Sequence, residues 1–423
     1  MSAPTVLLPP PPPPPVASPA SLAQRPWKPL IWTLLVGTFL TRAAGFVYPY
    51  LALHLAGHGI PHVSTVLALF GAGWLAGQVV SGVLADRIGR RATLAGALFT
   101  AAGVFPLLAH ANDLLALSAS AFISGACYDA PRPVVTALIA DTITDESARA
   151  KIAGWRHFAV NLGAATTGAM GGLLIHPLGT DALFTLNAVV YALVAIVVLL
   201  TVPSAAPRAS GDSHRQGHHE AFADPRLWLL WLASLCGLIP VAALFSSLPL
   251  MMQRDGLTAA AYGQTQVVSA VAVLVLSPLL NPWLSRRAAG DRPLVGTLAL
   301  GALILGAGIG SAGFASTPAG YATAAAVAVP GEIILFVAAS DICNRISPPH
   351  LRGQYAGIWG TTLAAAVTGA PLLAGWATAT GGDHFVGLAT LACGFLGAAL
   401  CLPLAALLHR PVASPHIPSV SHV

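Results

Sequence analysis

Charge is scarce in this chain. Asp, Glu, Lys and Arg make up 8% of the 423 residues, against roughly 25% in an ordinary soluble domain. That deficit excludes a soluble globular protein. Cysteine is sparser still: Cys127, Cys236, Cys343, Cys393 and Cys401 all fall in apolar stretches without metal-ligand spacing, so they read as small buried hydrophobes. Neither a G-x-x-x-x-G-K-[ST] phosphate loop nor an H-E-x-x-H motif occurs, which excludes ATP-driven transport and zincin chemistry.

What the chain has is apolar length. Hydrophobic residues make up 56% of it, and the mean hydropathy is +0.75. At about 20 residues per crossing it holds roughly a dozen membrane helices. Twelve apolar segments are legible: 30–56, 63–85, 92–110, 114–140, 153–174 and 183–202, then 227–251, 260–284, 294–314, 321–344, 355–377 and 385–408. They must be helical, because backbone groups in lipid have to bond within their own segment. The expected organisation is a Pro-rich disordered tail (1–28), a six-helix bundle (29–202), a linker (203–225), a second six-helix bundle (226–409) and a short tail (410–423). The run Pro9 to Pro15 lacks the charged n-region of a signal peptide and reads as a solvated polyproline tail. Prolines within segments, among them Pro49, Pro131, Pro133, Pro240, Pro249, Pro330 and Pro371, suit helices that bend.

The cations are placed asymmetrically. Seventeen of the 20 Lys and Arg lie on the side of the N-terminus, Arg254 alone lies opposite, and Arg42 and Arg132 fall inside segments. By the positive-inside rule both termini are expected in the cytoplasm of a multi-pass protein of the plasma membrane. The pI near 9.1 then needs no nucleic-acid partner. The expected partners are the lipid bilayer and a small-molecule substrate, with the chain as a monomer.

The two halves repeat. A shift of 200 residues places Leu84 on Leu284, Leu94 on Leu294, Asp141 on Asp341 and Arg132 on Glu332. A shift of 203 places Arg149 on Arg352 and Gly172 on Gly375. These matches support the six-plus-six duplication common among transporters.

Between segments two and three stands Gly82-Val-Leu-Ala-Asp86-Arg87-Ile-Gly89-Arg90-Arg91, which resembles the loop signature of the major facilitator superfamily. In segment five, Asn161-Leu-Gly163, Gly168 and Gly171-Gly172 resemble the glycine-rich motif of its drug–proton antiporters, with Thr167-Gly168 where that motif has Gly-Pro. Gly331-Glu332, and Asp341 through Arg352-Gly353, are similar to a bacterial multidrug-efflux-like branch. The resemblance implies an all-α polytopic fold of 12 transmembrane helices in two pseudo-symmetric bundles. It also implies a secondary active transporter, not an enzyme, driven by a proton gradient and needing no cofactor. The loop has a physical rationale. Gly82 and Gly89 permit close approach and a tight turn, and Asp86 is expected to cap the incoming helix and pair with a cation. Arg87, Arg90 and Arg91 stay at the interface, with Asp141 as a partner for one of them. Together with Arg149 they would form a conformational latch.

Four charges lie inside segments: Arg42, Asp129, Arg132 and Glu332. Each costs about 2.5–3.5 kcal/mol at a helix centre on the insertion scale, so such groups face one another or a water-filled cavity. They sum to zero, and the resemblance places segments one, four, seven and ten around the central cavity. Glu332 and Asp129 are the candidate proton-coupling groups. Arg42, Arg132, Tyr48 and Tyr50 are the candidate cavity and substrate residues. A fixed ion-pair network that only orders the bundle is the structural alternative. Gly308-Ile-Gly310-Ser-Ala-Gly313 spells a dinucleotide motif, but it lies inside an apolar helix and reads as helix packing. His214, His218 and His219 lie in a Ser/Gly/Pro loop without a strong fourth ligand, so no metal site is expected. The leading function is proton-coupled efflux of a small, partly apolar compound. Its alternatives are a proton-coupled importer or uniporter, or a transport-dead sensor or scaffold.

Overall fold

The computed structural model describes residues 29–60, 62–143, 145–204, 220–348 and 350–408, so the expected tails, most of the linker and its three histidines lie outside the described residues. Apart from short turns, the architecture is helical throughout: α1 (Pro29–Ala43), α2 (Val47–Gly57), α3 (Val63–Arg87), α4 (Arg90–His110), α5 (Leu114–Tyr128), α6 (Pro131–Thr142) and α7 (Glu146–Thr201), followed by α8 (Pro225–Ser246), α9 (Leu248–Arg254), α10 (Ala259–Ala288), α11 (Val295–Ser311), α12 (Pro318–Ile346), α13 (Arg352–Gly360) and α14 (Thr362–Leu408).

Nine helical stretches among the described residues are long and apolar enough to cross a membrane. Two of these double back. The stretch Lys151–Thr201 turns at Gly179 (φ 77°), and Arg352–Leu408 turns at Gly381 and Gly382 (φ 69° at the latter). These left-handed conformations suit glycine because it has no Cβ. Each stretch therefore contributes two crossings, and the broken pair α5–α6 supplies one more. This arrangement is consistent with the twelve expected segments.

Crossings one, four and seven are interrupted near their middles, and proline accounts for the breaks. Pro131 has no N–H for the Cys127 carbonyl and Pro133 none for that of Asp129, so α5 ends at Tyr128 and α6 restarts at Pro131. Crossing one breaks between Ala43 and Val47, around Gly45 and just before Pro49. Crossing seven breaks at Ser247, two residues before Pro249. Pro240 and Pro330 lie inside continuous helices.

With lipid on the outside, helix contact is driven by close packing of small residues. α3 backs onto α5: a Cβ at Gly73 would stand 1.9 Å from the Phe122 carbonyl oxygen. In the second half, Gly308, Gly310 and Gly313 abut Ala328, Leu391 and Gly387, so the G-x-G-x-x-G run packs helices. The halves meet where α7 crosses α10 and where α3 crosses α14. At these places Gly172 faces Gly263, and a Cβ at Gly71 would stand 2.5 Å from the Thr368 backbone nitrogen.

Candidate functional site

The breaks in crossings one and four face each other, and the site is built on them. Arg42 lies in the last turn of α1, where the helix dipole favours a cation, and Asp129 is the C-cap residue of α5. The two side chains form an ion pair. Asp129 is fully buried, and its second oxygen accepts from Arg132 Nε (2.8 Å), Trp74 Nε1 (3.2 Å) and Gln78 Nε2 (3.3 Å). One carboxylate thus receives four donors from three crossings. The Arg42 guanidinium also lies 5.3 Å from the centroid of the Tyr128 ring, within cation–π range. Thr167 of α7 donates to the Arg42 carbonyl oxygen, which also accepts from the Gly45 N–H (3.1 Å) at the break. Arg156, on the same helix, donates to Thr136 Oγ1 (2.9 Å) and the Arg132 carbonyl (3.3 Å).

Above the ion pairs sits an aromatic cluster. Tyr48 stacks on Phe70 (5.6 Å between centroids), meets Trp74 edge-on (5.2 Å) and contacts Tyr128. It also reaches across to Phe245 of α8 at 4.8 Å. Trp74 belongs to both groups, so the charge cluster and the contact between halves share a side chain.

Three placements differ from the sequence reading. Glu332 does not join the other three charges. It stands half-buried at the middle of α12, in a small apolar pocket lined by Val241, Leu244, Ser269, Leu305, Ile309 and Ala328, all in the second half. It has no hydrogen bond or ion pair among the described residues. The 200-residue repeat places Arg132 and Glu332 at related positions in separate halves, which keeps them apart. Tyr50 is fully buried in packing contacts: its hydroxyl donates to the Gly168 carbonyl (3.2 Å) and its ring meets Tyr262 at 5.6 Å. Tyr48 is half-buried within the aromatic cluster.

The glycines of segment five are explained by contact. A Cβ at Gly163 would stand 2.6 Å from Arg42 Cβ, one at Gly168 2.7 Å from Gln266 Cβ, and one at Gly171 2.2 Å from the Tyr50 ring. Gly172 lies against Gly263. Asn161 donates to the His157 carbonyl at 2.9 Å.

The loop after crossing two also corrects the reading. Gly89 has φ 88° and precedes α4 as its N-cap residue, so it makes the turn, but no side chain caps that helix. Asp86 is exposed and unpaired among the described residues, because α3 continues to Arg87 and carries it outward. Gly82 faces open space and so mediates no helix contact. Arg90 makes the connection, through Nη1 to Asp141 Oδ2 at 2.7 Å. Arg91 donates to the Leu199 carbonyl, while Arg87 and Arg149 are exposed. Trp74, Gln78, Tyr128, Thr167 and Arg156 were not legible as site residues. Each looks like an ordinary helix position until the fold brings it to Asp129 or Arg42.

Twelve helices in two related halves, with broken, charge-bearing helices between them, define a membrane transport protein. The chain belongs to the Major Facilitator Superfamily, whose sequence model matches residues 30–371. It is 28% identical over 191 residues to the 4-hydroxybenzoate transporter PcaK of Pseudomonas putida, a match spanning 44% of this chain and 42% of that protein. The chain thus spans less than half the length of that relative. It is 25% identical over 287 residues to the multidrug resistance protein MdtH of Aeromonas hydrophila subsp. hydrophila, spanning 66% and 69% of the two. Its fold matches a solved POT family transporter in complex with 5-aminolevulinic acid, with a TM-score of 0.73 at 15% identity over 90% of this chain and 96% of that one. That likeness concerns the fold alone. The family and these relatives are transporters and not enzymes.

Proposed function

We propose that the chain exports a small, partly apolar compound in exchange for protons, by alternating access of its two halves. The observation that carries this reading is Glu332: a carboxyl at the middle of a membrane helix, in an apolar pocket, with no cation paired to it among the described residues. A carboxylate is costly in such surroundings, so a group there gains by taking up a proton when its pocket closes and releasing it when water enters. Asp129, held by two arginines and two further donors, suits an anchor that orders Arg42 and Arg132. The similarity to MdtH supports a drug-like cargo. The proton gradient supplies the energy, without a cofactor. The test is transport into proteoliposomes under an imposed pH gradient, with a panel of amphipathic compounds. Glu332→Gln is expected to abolish gradient-driven accumulation while sparing exchange of bound substrate. Wild-type pH dependence in that variant would overturn the assignment.

A second reading has its own support. Arg42 and Arg132 pair with a single carboxylate and Arg156 reaches the Arg132 carbonyl beside them, an excess of positive charge that suits an organic anion. PcaK, similar over 44% of this chain, is named for an aromatic acid. Uptake of aromatic carboxylates driven by inward proton flow, without export of neutral amphiphiles, would favour this reading. Either direction presumes both termini in the cytoplasm of a plasma-membrane protein, with the monomer as the working unit. Single cysteines at Ala289 and Thr317, both exposed and at opposite ends of α11, test the orientation: only Thr317→Cys is expected to react with an impermeant thiol reagent applied outside.

A further inference from the structure

Far from the charge cluster, three metal-ligand side chains converge where crossing one ends. His54 and His58 stand one turn apart at the end of α2, on the face opposite the N-terminus. Asp181 follows the Gly179 turn between crossings five and six, and that turn swings it over them. His54 Nδ1 lies 3.3 Å from Asp181 Oδ1, and His58 Nε2 lies 3.9 Å from the same oxygen. The three donor atoms lie within 4.8 Å of one another. Around tetrahedral zinc, with bonds of about 2.0–2.2 Å, neighbouring ligand atoms stand roughly 3.3–3.5 Å apart. The arrangement is therefore within about an ångström of a coordination shell.

We propose that His54, His58 and Asp181 form a binding site for a transition-metal dication of the zinc class.

The surrounding hydrogen bonds prepare the ligands. His58 Nδ1 lies 2.9 Å from the His54 carbonyl oxygen. A carbonyl only accepts, so Nδ1 carries a proton, and in the neutral ring the lone pair of Nε2 faces Asp181. Metal-bound histidines are held in this way, with the second ring nitrogen donating to a carbonyl. A lone pair aimed at a carboxylate is unfavourable unless a proton or a metal cation stands between them. Thr180 Oγ1 lies 2.8 Å from His54 Nδ1 and 3.2 Å from Asp181 Oδ1, in contact with both ligands. The His54 side chain is 2% exposed, whereas those of His58 and Asp181 are 44% and 41% exposed. One ligand is thus anchored in the bundle, and two open to solvent as an entry path. Two imidazoles and one carboxylate suit zinc, leaving a fourth position to water. A bound ion would tie the end of crossing one to the start of crossing six within one bundle. Stabilisation, without direct gating between the halves, is the consequence.

The test uses full-length protein in detergent, without a polyhistidine tag, treated with a chelator and then dialysed free of it. His214, His218 and His219 are replaced by alanine throughout, because that cluster is a competing ligand set. Titration calorimetry with ZnCl2 is expected to give one saturable site and a raised melting temperature, with no response to MgCl2. Co2+ is expected to give the visible absorption of a tetrahedral site. His58→Gln and Asp181→Asn, at half-exposed positions, are expected to fold normally and weaken Zn2+ binding by about tenfold or more. Binding should also weaken as the pH falls through the histidine range, since the ligands must lose their protons. Absence of saturable Zn2+ binding, or unchanged affinity in both variants, would overturn the site and leave a plain histidine–carboxylate contact.

Discussion

Asp141 and Asp341, 200 residues apart in sequence, each anchor the loop that follows the second crossing of their own half. Asp141 does so through the side chain of Arg90 at 2.7 Å. Asp341 accepts from the Leu294 backbone N–H at 3.3 Å and pairs with Arg345, whose guanidinium in turn donates to the carbonyls of Ala288 (2.6 Å) and Gly290 (2.7 Å). The duplication has conserved a mechanical connection while changing the partner. In the first half a cation on the loop reaches the helix, and in the second a cation on the helix reaches the loop.

That contrast separates two roles in the loop motif. Asp141→Asn breaks a partly exposed ion pair, and such pairs contribute about 1 kcal/mol or less. A small fall in melting temperature and a clear fall in transport rate are expected. Asp86→Asn touches no partner in this conformation. If Asp86 works only when the halves rock, that variant keeps the wild-type melting temperature while transport slows. Thermal unfolding and initial transport rates, measured on both variants, separate these roles, and a drop in the stability of Asp86→Asn would refute the assignment.

Removing the shared anion should be far more damaging. Asp129→Asn leaves Arg42 and Arg132 beside a neutral amide, and breaking a buried pair by deleting one partner costs about 3–5 kcal/mol. Low yield in the membrane and early unfolding in detergent are expected, by fluorescence-detected size exclusion. A normally folded, fully active variant would mean that the arginines find other anions.

The contact between halves gives a third expectation. A Cβ at Gly263 would stand 2.5 Å from the Gly168 carbonyl oxygen, 2.6 Å from Gly172 Cα and 2.9 Å from Gly172 N, three backbone atoms that cannot swing away as a side chain could. Gly263→Val should therefore prevent this approach of α7 to α10, at a cost of about 1–3 kcal/mol if the chain is held in it. Cysteines at Gly172 and Gly263 should cross-link readily in an otherwise cysteine-free protein. The rate should change with substrate or pH if this contact opens during the cycle.

A pH effect is expected at Asp224, just before α8. Burial alone would raise its carboxyl pKa, but hydrogen bonds from Arg226 and from the Tyr355 hydroxyl (2.8 Å) hold it below the ordinary value. A carboxyl depressed in the folded state contributes stability that is fully present above its unfolded pKa and is lost as the pH falls through its folded pKa. Asp224→Asn should lower stability at neutral pH by about 1–3 kcal/mol. The difference from wild type should shrink in strong acid, as melting curves across pH would show.

The sequence by itself determined the membrane class, the twelve crossings and the duplication. These follow from local chemistry: lipid demands long apolar helices, and a repeat shows as matched residues. It also exposed the intramembrane charges, since each is costly where it stands. Tertiary structure decided which of those charges meet. Arg42, Asp129 and Arg132 converge because breaks in two different crossings lie side by side, whereas Glu332 is held in the other half. The glycines of α7 were legible as a motif, but only the packed partners, Arg42, Gln266, Tyr50 and Gly263, give the reason for each. His54 and His58 were not singled out in the sequence, and Asp181 joins them only because the chain reverses at Gly179. Local periodicity fixes what each helix can be, and which faces touch depends on contacts between residues far apart in the sequence.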